Sequence, residues 1–313
     1  MDKKEDWNLE LSEYIKQDEL NKGEKAKTWE TAIGLQDVDG LRPSKYLIKT
    51  AKEHIEGTID IEEVKTRIDE YYEVQSSRKN FENESEEADK VAVRITEILS
   101  EKAFSFSPTE LLNIHKRLFE NLFDGAGVYR NYNFTKKEWV LNGDTVIYAP
   151  FNTIKETLEY DFEQEKNFSY KGLSLDESIK HLCKFTSNIW PVHPFCEGNT
   201  RTTAVFMIKY LRTFGFCIND EVFAENSWYF RNSLVRANYK NFEKITRKVL
   251  KGGLEFCFGL SSIAIIILLT YNFFFAYPII YYIGLTLFRL SLIFGIEFII
   301  CGFITDGIKK QII

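Results

Sequence analysis

His193-Pro-Phe-Cys-Glu-Gly-Asn-Thr-Arg201 is the stretch from which the rest of this chain is read. It sets an imidazole, a carboxylate, a carboxamide and a guanidinium close together, with Gly198 among them, and the apolar run Ala204-Val-Phe-Met-Ile208 follows. The pattern predicts a loop feeding a helix. Glycine lets the backbone turn sharply and approach a ligand, and the free N–H groups of a first helical turn favour an anion. Arg201 adds a fork of donors matched to phosphate oxygens. Glu197 would repel a bare phosphate, so the pairing implies a cation such as Mg²⁺, which binds through few carboxylates plus phosphate oxygens. His193 stands at the entrance, with an unperturbed pKa near ~6.5 that suits a general base.

Taken singly, each piece has an ordinary reading: a loop histidine, a Gly-Asn turn, a solvated arginine. In this order and spacing they resemble the signature of the Fic family, His-x-Phe-x-(Asp/Glu)-Gly-Asn-Gly-Arg. Most such enzymes transfer AMP from ATP to a protein hydroxyl. The resemblance implies His193 as the base, Glu197 as the Mg²⁺ ligand, and Gly198, Asn199, Thr200 and Arg201 as the phosphate site. Thr200 departs from the pattern, standing where the family usually has its second glycine.

Residues 1–100 are charged and rich in helix formers, with helical apolar spacing in Lys45–His54 and Ile61–Tyr72 and a capping order at Asp60 and Glu63. They read as a helical module. Trp29-Glu-Thr-Ala-Ile-Gly-Leu-Gln-Asp-Val-Asp-Gly40 and Ile55–Val64 resemble the antitoxin-type segment that accompanies many Fic cores. Its inhibitory helix carries (Ser/Thr)-x-x-x-Glu-(Gly/Asn), which makes Asp39 the inhibitory candidate here. Leu35 replaces the hydroxyl, Asp39 is a methylene short, and the second arginine that the family's glutamate pairs with is Ala204 in this chain. The resemblance therefore implies a site that this segment does not restrain in the usual way.

The acidic run Glu82–Glu87 reads as a solvated helix start or linker. Helical spacing continues through Val91–Ile98 and, after Ser107-Pro108, through Leu111–Phe119. Trp139-Val-Leu and Thr145-Val-Ile-Tyr148, separated by Asn142-Gly143, predict a β-hairpin. In Fic proteins such a hairpin, the flap, lies beside the active site and holds the target segment by strand addition, which assigns Thr145, Val146 and Ile147 to target positioning. Thr153–Lys166 and Asp176–Trp190 read as helices, and the motif helix runs to about Thr213 with Gly215 as its stop. Apolar residues nearly all round it predict a buried central helix, with Phe195 wedged into the core. By resemblance, Asn238 in the next helix contacts the nucleotide; the aromatics of that helix read as core, with Tyr229 or Phe230 as the candidate to flank an adenine.

Bulk properties bound the rest. A net charge of −6 argues against a nucleic-acid partner. The five cysteines are widely spaced with no Cys-x-x-Cys pair, which fits a reducing compartment and no structural zinc. His54, His115 and His181 are scattered and read as helix-surface residues, and the charged start Met1–Asp6 is not a signal peptide. From Phe256 to Ile304 the chain turns hydrophobic, in two stretches each long enough to cross ~30 Å of hydrocarbon. Lysines and arginines flank both outer ends and not the short connection, which predicts that both ends and the catalytic core lie in the cytoplasm, anchored to the inner face of the cell membrane by residues 256–304. An aberrant C-terminus, from an A/T-rich gene read out of frame, would give the same composition.

The expected architecture is mainly α: an antitoxin-like module at 1–100, a Fic-type helical bundle with a β-hairpin flap at 101–250, and a hydrophobic tail of two transmembrane helices at 251–313. The expected activity is protein adenylyltransfer to a Tyr, Thr or Ser hydroxyl of a target protein, with ATP as substrate, Mg²⁺ as cofactor and an antitoxin or self-inhibition in cis as control. Two alternatives stay open. One is Fic-type transfer of phosphate or another phosphate-linked group; the other is a catalytically weak, membrane-attached protein whose Fic core only binds nucleotide.

Overall fold

The computed structural model describes residues 20–76, 84–215, 221–239, 242–273 and 277–312. The N-terminal stretch 1–6, the start of the acidic run at 82–83 and Cys217 lie outside them. The described residues hold eleven α-helices and one two-stranded antiparallel sheet, so the chain is mainly α as expected. They divide into two compact units, Met1–Tyr239 and Lys240–Ile313.

In the first unit, helices α1 (Leu20–Gly34), α2 (Lys45–Glu56), α3 (Ile61–Ser76) and α4 (Glu84–Ser100) form the N-terminal module. Local chemistry sets their ends. The Ser44 hydroxyl accepts from the Leu47 N–H and starts α2, Asp60 accepts from the Glu63 N–H and starts α3, and Gly57 ends α2 in the left-handed conformation. Asp89, buried on α4, accepts from the Ser44 N–H at 2.8 Å and from the Tyr72 hydroxyl at 2.7 Å, joining three helices through one carboxylate. The Trp29 indole donates to His54 Nδ1 at 3.0 Å, and both residues are buried.

Helices α5 (Pro108–Phe119), α6 (Ile154–Asn167), α7 (Leu175–Ile189), α8 (Asn199–Thr213) and α9 (Glu221–Asn238) follow. Ser107 with Pro108 caps α5, and a reciprocal Ser174–Glu177 capping box starts α7. Helix α8 is buried on every side from Asn199 to Tyr210, which makes it the central helix its composition predicted. Lys209, also buried, points its ammonium at the Ile98 and Glu101 carbonyls at the C-terminal end of α4, where a cation meets the negative end of the helix dipole. One hydrophobic core, running from Ala26 to Tyr210, crosses residue 100, so the N-terminal module and the motif region are packed as one body.

The hairpin is present but shorter than the sequence implied. Strands β1 (Lys137–Glu138) and β2 (Asp144–Thr145) pair Lys137 with Thr145 and Glu138 with Asp144, and Trp139–Leu141 form a helical turn instead of a strand. Asn142 and Gly143 are both left-handed as expected, yet the Asn142 N–H bonds to Trp139 O and the Gly143 N–H to Glu138 O, which closes a wider loop than a two-residue turn. Val146 and Tyr148 point into the core while Ile147 is exposed, and the Ala149 N–H bonds to Pro191 O.

The second unit is a helical hairpin of α10 (Phe242–Phe273) and α11 (Pro278–Ile312). Within it, Lys251–Tyr271 and Pro278–Glu297 are long and apolar enough to cross a membrane, with mean hydropathies of 2.0 and 1.9. The two helices meet through small and polar side chains. Ser261 and Ser291 share a hydrogen bond, Ser291 also donates to Cys257 O, and Gly284 lies where a Cβ would meet Leu268 at 2.9 Å. Close approach over glycine and serine is how apolar helices associate without a hydrophobic driving force between them. Among the described residues of this unit, Phe256, Phe258, Ile266, Ile279 and Tyr282 are exposed.

Candidate active site

Helix α7 ends at Ile189, Trp190–Val192 make one 3₁₀ turn, and the loop His193–Gly198 delivers the chain to α8. His193 is left-handed, φ 47°, a conformation that costs a non-glycine residue on the order of 1–3 kcal/mol. Arg130 holds it there. The Arg130 N–H donates to Pro194 O at 2.8 Å, Nε to His193 O at 2.8 Å, Nη1 to Tyr132 O at 2.7 Å, and Nη2 to Val192 O at 3.3 Å and to Ala149 O. One buried guanidinium thus fastens the start of the loop to the base of the flap.

The loop's far side rests on His115. Its Nδ1 accepts from the Gly127 N–H at 2.8 Å, which fixes the tautomer and leaves Nε2–H to donate to Glu197 O at 3.1 Å. Its ring stacks on Phe195 with centroids 3.6 Å apart. Burial, and then the charge of Arg201, lowers the His115 pKa to about 4 against the pull of the Glu197 carbonyl, so the ring is neutral. His115 is fully buried, His54 is buried and His181 half-buried against Glu165, so the expectation of three surface histidines is corrected. Each has found a hydrogen-bond partner that makes burial tolerable.

Gly198 ends the loop at φ 70° as the N-cap of α8. A Cβ there would stand 2.3 Å from the Phe119 ring, so no other residue fits. The Asn199 carboxamide braces the turn from inside, accepting from the Phe195 N–H at 2.9 Å and donating to Phe195 O at 2.8 Å. Thr200 is buried, and its hydroxyl accepts from the Trp190 indole at 3.1 Å. Ala204 is fully buried one turn on.

The structure brings His193, Glu197 and Arg201 to one place and gives each a different environment. The His193 ring stacks on Tyr148 at 4.1 Å, with Phe134 and Trp190 edge-on at 5.5 and 5.7 Å, and its Nδ1 is buried without a partner. Burial first, then the positive charges of Lys136, Arg130 and Arg231, lower its pKa to about 3. The imidazole is neutral with a lone pair to offer. Glu197 opens to solvent, and its pKa is raised, first by partial desolvation and also by Asp39 and Glu87, while Lys136 and Arg201 pull the other way.

Arg201, 2% exposed, is already engaged. Nη1 donates to Gln36 Oε1 at 3.0 Å and Nη2 to Glu87 Oε1 at 2.6 Å, and the guanidinium lies 4.8 Å over the Phe119 ring. Nε stands 2.8 Å from Asp39 Oδ2, an ionic contact without hydrogen-bond geometry. Asp39 closes the 3₁₀ turn Leu35–Asp39, which packs on α8, and Gly40 ends that turn left-handed. The departures at Leu35, Asp39 and Ala204 imply a segment that does not restrain the site in the usual way. In the structure Asp39 reaches the motif arginine itself, and Glu87, read as part of a solvated acidic run, reaches it too.

The remaining candidates are spread around this centre. Val146 is fully buried against Trp190 and Leu234, Thr145 is half-buried, and Ile147 is exposed. Asn238 donates through Nδ2 to Ser187 Oγ at 3.1 Å and Leu234 O at 2.9 Å, tying α9 to α7, and Tyr229 is largely exposed. For a cation, Glu197 is the solvent-facing carboxylate of the motif; among the described residues no group of three or more His, Cys, Asp or Glu side chains stands together as a metal site. That donor set fits only an ion that takes most of its ligands from phosphate and water, as Mg²⁺ does.

Arg130 and His115 were not singled out as site residues in the sequence, although both left a trace. Gly125-Ala-Gly127 precedes Arg130, and a Cβ at Gly127 would meet Lys116 at 2.6 Å. His115 recurs with Leu111 and Leu118 at helical spacing, on the buried face of α5.

Comparison with known proteins agrees with this geometry. The Fic/DOC family matches residues 105–211. A protein adenylyltransferase of Bartonella henselae is 28% identical over 123 residues, which cover 36% of this chain and 23% of the relative, so the likeness spans about a quarter of that protein's length. The match begins just before α5, takes in the Arg130 clamp and the flap, and ends within α8, so the part of the chain that is similar to the Fic/DOC family is residues 105–211.

Proposed function

We propose that this chain is a protein adenylyltransferase that moves AMP from ATP to the hydroxyl of a target side chain. The observation that carries the reading is the buried His193 with an unpartnered Nδ1, on the loop that Gly198 caps into a helix with Arg201 in its first turn. The name of the Bartonella henselae relative agrees with it.

In this reading His193 takes the proton of the target hydroxyl as that oxygen bonds to the α-phosphorus. The bond from the α-phosphorus to the bridging oxygen breaks, and pyrophosphate leaves. The first turn of α8 and the Arg201 fork stabilise the charge that develops, the preorganised electrostatic contribution on which phosphoryl-type transfer depends. Glu197 would hold Mg²⁺ shared with the phosphates, which supplies charge neutralisation when bound. A base with pKa near 3 is weak. The triphosphate's negative charge beside Lys136, Arg130 and Arg231 offsets the cations that depress it, and so strengthens the base as substrate arrives. Outward-facing apolar side chains on α10 and α11 support anchoring in a membrane, with the catalytic unit on the cytoplasmic side where ATP is found.

A specific observation favours self-restraint in cis as part of this function. Asp39, Glu87 and Gln36 occupy the guanidinium that would grip phosphate, and Arg201 Nε lacks a hydrogen bond that a phosphate oxygen would make. Nucleotide and the acidic pair therefore compete for one arginine.

The test is labelling of the full chain in detergent with α-labelled ATP and Mg²⁺, beside His193→Ala, read by gel and intact mass. We expect a mass increase of one AMP on the chain or a target, lost in the variant. An increase of one phosphate would instead assign phosphotransfer, and nucleotide affinity without transfer, unchanged by His193→Ala, would assign a binding role.

A further inference from the structure

The flap is fastened to α9 by a buried ion pair that the reaction described above does not use. Arg231 Nη2 donates to both carboxylate oxygens of Glu138, at 3.0 and 2.8 Å, and the side chains are 8% and 1% exposed. Glu138 is the second residue of β1, so the carboxylate sits at the root of the flap. Trp139 stands edge-on to Trp228 at 6.2 Å, and the Tyr239 hydroxyl donates to Asp144, so both strands are held to α9. The pair also reaches the imidazole. The Tyr148 hydroxyl donates to Glu138 Oε1 at 3.4 Å, and the Tyr148 ring is the face on which His193 stacks. Val146, Tyr148 and Trp190 pack with Leu234 and Val235 of α9 into a small apolar cluster separate from the main core.

A buried ion pair is weak support for stability, since desolvation cancels most of its attraction. This one is incompletely satisfied as well, because Arg231 Nη1 is buried with no partner. Apolar residues would join flap to helix with less penalty. What charge adds is geometry: both Glu138 oxygens close on one guanidinium nitrogen, which sets the distance between flap and helix, and through Tyr148 the carboxylate supports the face on which the His193 ring stacks. We infer that Glu138 and Arg231 are positioning residues for the transfer step, holding the flap at one height above the loop and the His193 imidazole in one plane. The inference rests on the adenylyltransferase reading for its kinetic consequence and on the structure alone for its effect on His193.

Burial is the main reason the imidazole stays neutral, and Arg231 adds to it together with Lys136 and Arg130, with the Trp190 carbonyl opposing them. That supplies a readout which a purely structural tie would leave alone. The full chain, labelled with ¹³C at histidine Cε1, has four histidines to resolve, and His193→Gln assigns the one of interest. Titration of Arg231→Gln and Glu138→Gln is compared with labelling turnover, at saturating ATP and target, and with nucleotide affinity. We expect turnover to fall at least about tenfold in both variants with nucleotide affinity unchanged, as for a misplaced reacting group. The His193 midpoint should rise in Arg231→Gln, and Arg231→Lys, which keeps the charge and loses the planar guanidinium, should restore the midpoint without restoring turnover. Wild-type turnover in Glu138→Gln and Arg231→Gln, with only thermal stability reduced, would overturn the inference. Should the wild-type chain label nothing, the adenylyltransferase reading fails by itself, and an unmoved His193 resonance and midpoint in Arg231→Gln would still reject the positioning role.

Discussion

The two ends of the His193–Arg201 loop are each governed by a buried arginine, and the two are bound in opposite ways. Arg130 directs its donors at backbone carbonyls, those of His193, Pro194, Val192, Tyr132 and Ala149. Arg201 directs its own at side chains, those of Gln36 and Glu87, with Asp39 alongside. Carbonyls of the loop cannot leave without unfolding it, whereas carboxylates on a neighbouring turn and helix can swing aside for a phosphate. The first arginine is therefore part of the scaffold, and on the proposed reading the second is the phosphate site, held in reserve.

If that contrast is right, the larger effect belongs to the arginine that no substrate touches. Arg130→Ala leaves several buried carbonyls without donors, each costing about 1–3 kcal/mol, so unfolding by denaturant should show a loss of roughly 3–5 kcal/mol. Labelling should fall at least about a hundredfold, because His193 would leave its left-handed conformation and the reacting groups would no longer be aligned. An Arg130→Ala chain that stayed stable and active would make the two arginines equivalent.

Next in size, and opposite in sign, is the release of Arg201. Asp39→Ala should raise labelling several-fold and tighten ATP, and Asp39→Ala with Glu87→Gln should raise both further, with stability lower by only about 1–2 kcal/mol. ATP affinity measured by titration calorimetry checks the first claim and labelling rate the second. Unchanged affinity in the double variant would mean that the acidic pair does not compete with phosphate, and that the segment leaves the site unrestrained, as the missing arginine at Ala204 implied.

The contrast also shows what could be read from the sequence. The motif was legible because its residues are consecutive: Gly198 had to turn the chain, and the apolar run after Arg201 had to be a buried helix. Helix ends at Ser107 and Gly215 and the capping order at Asp60 followed from short-range chemistry. Long-range pairings were not legible. Nothing in Glu82–Glu87 marks Glu87 as the carboxylate that meets Arg201, 114 residues away, because a charge run reads the same whether or not one member finds a buried partner. The hairpin shows the same limit. Asn142-Gly143 gave the turn, but Trp139–Leu141 coiled into a 3₁₀ turn as Trp139 packed on Trp228 and Glu138 on Arg231, contacts made across the fold.

The smallest expected effect concerns how tightly the loop's far bracket resists protonation. His115 is neutral in the fold, with a pKa near 4 against about 6.5 in the unfolded chain. Its folded pKa is depressed, so the unfolded state binds the proton first, and stability falls as pH drops from about 6.5 towards 4. His193, near 3, and His54, near 4, act in the same direction. Asp89 acts in the other: burial raises its pKa to about 6, so what it contributes is complete below about 3.9 and lost as pH rises through 6. Glu197 and Asp161, whose pKa values burial also raises, side with Asp89, and the large shifts of the three histidines still predict a net loss of thermal stability on going from pH 7 to 5. His115→Gln can still accept from the Gly127 N–H or donate to Glu197 O but cannot be protonated, so it should lower stability at pH 7 and flatten the acid slope by up to roughly 1.4 kcal/mol per pH unit. A slope unchanged in His115→Gln would place the proton uptake on His54 or His193, and the bracket under Glu197 would then be rigid for reasons of packing against Phe195 alone.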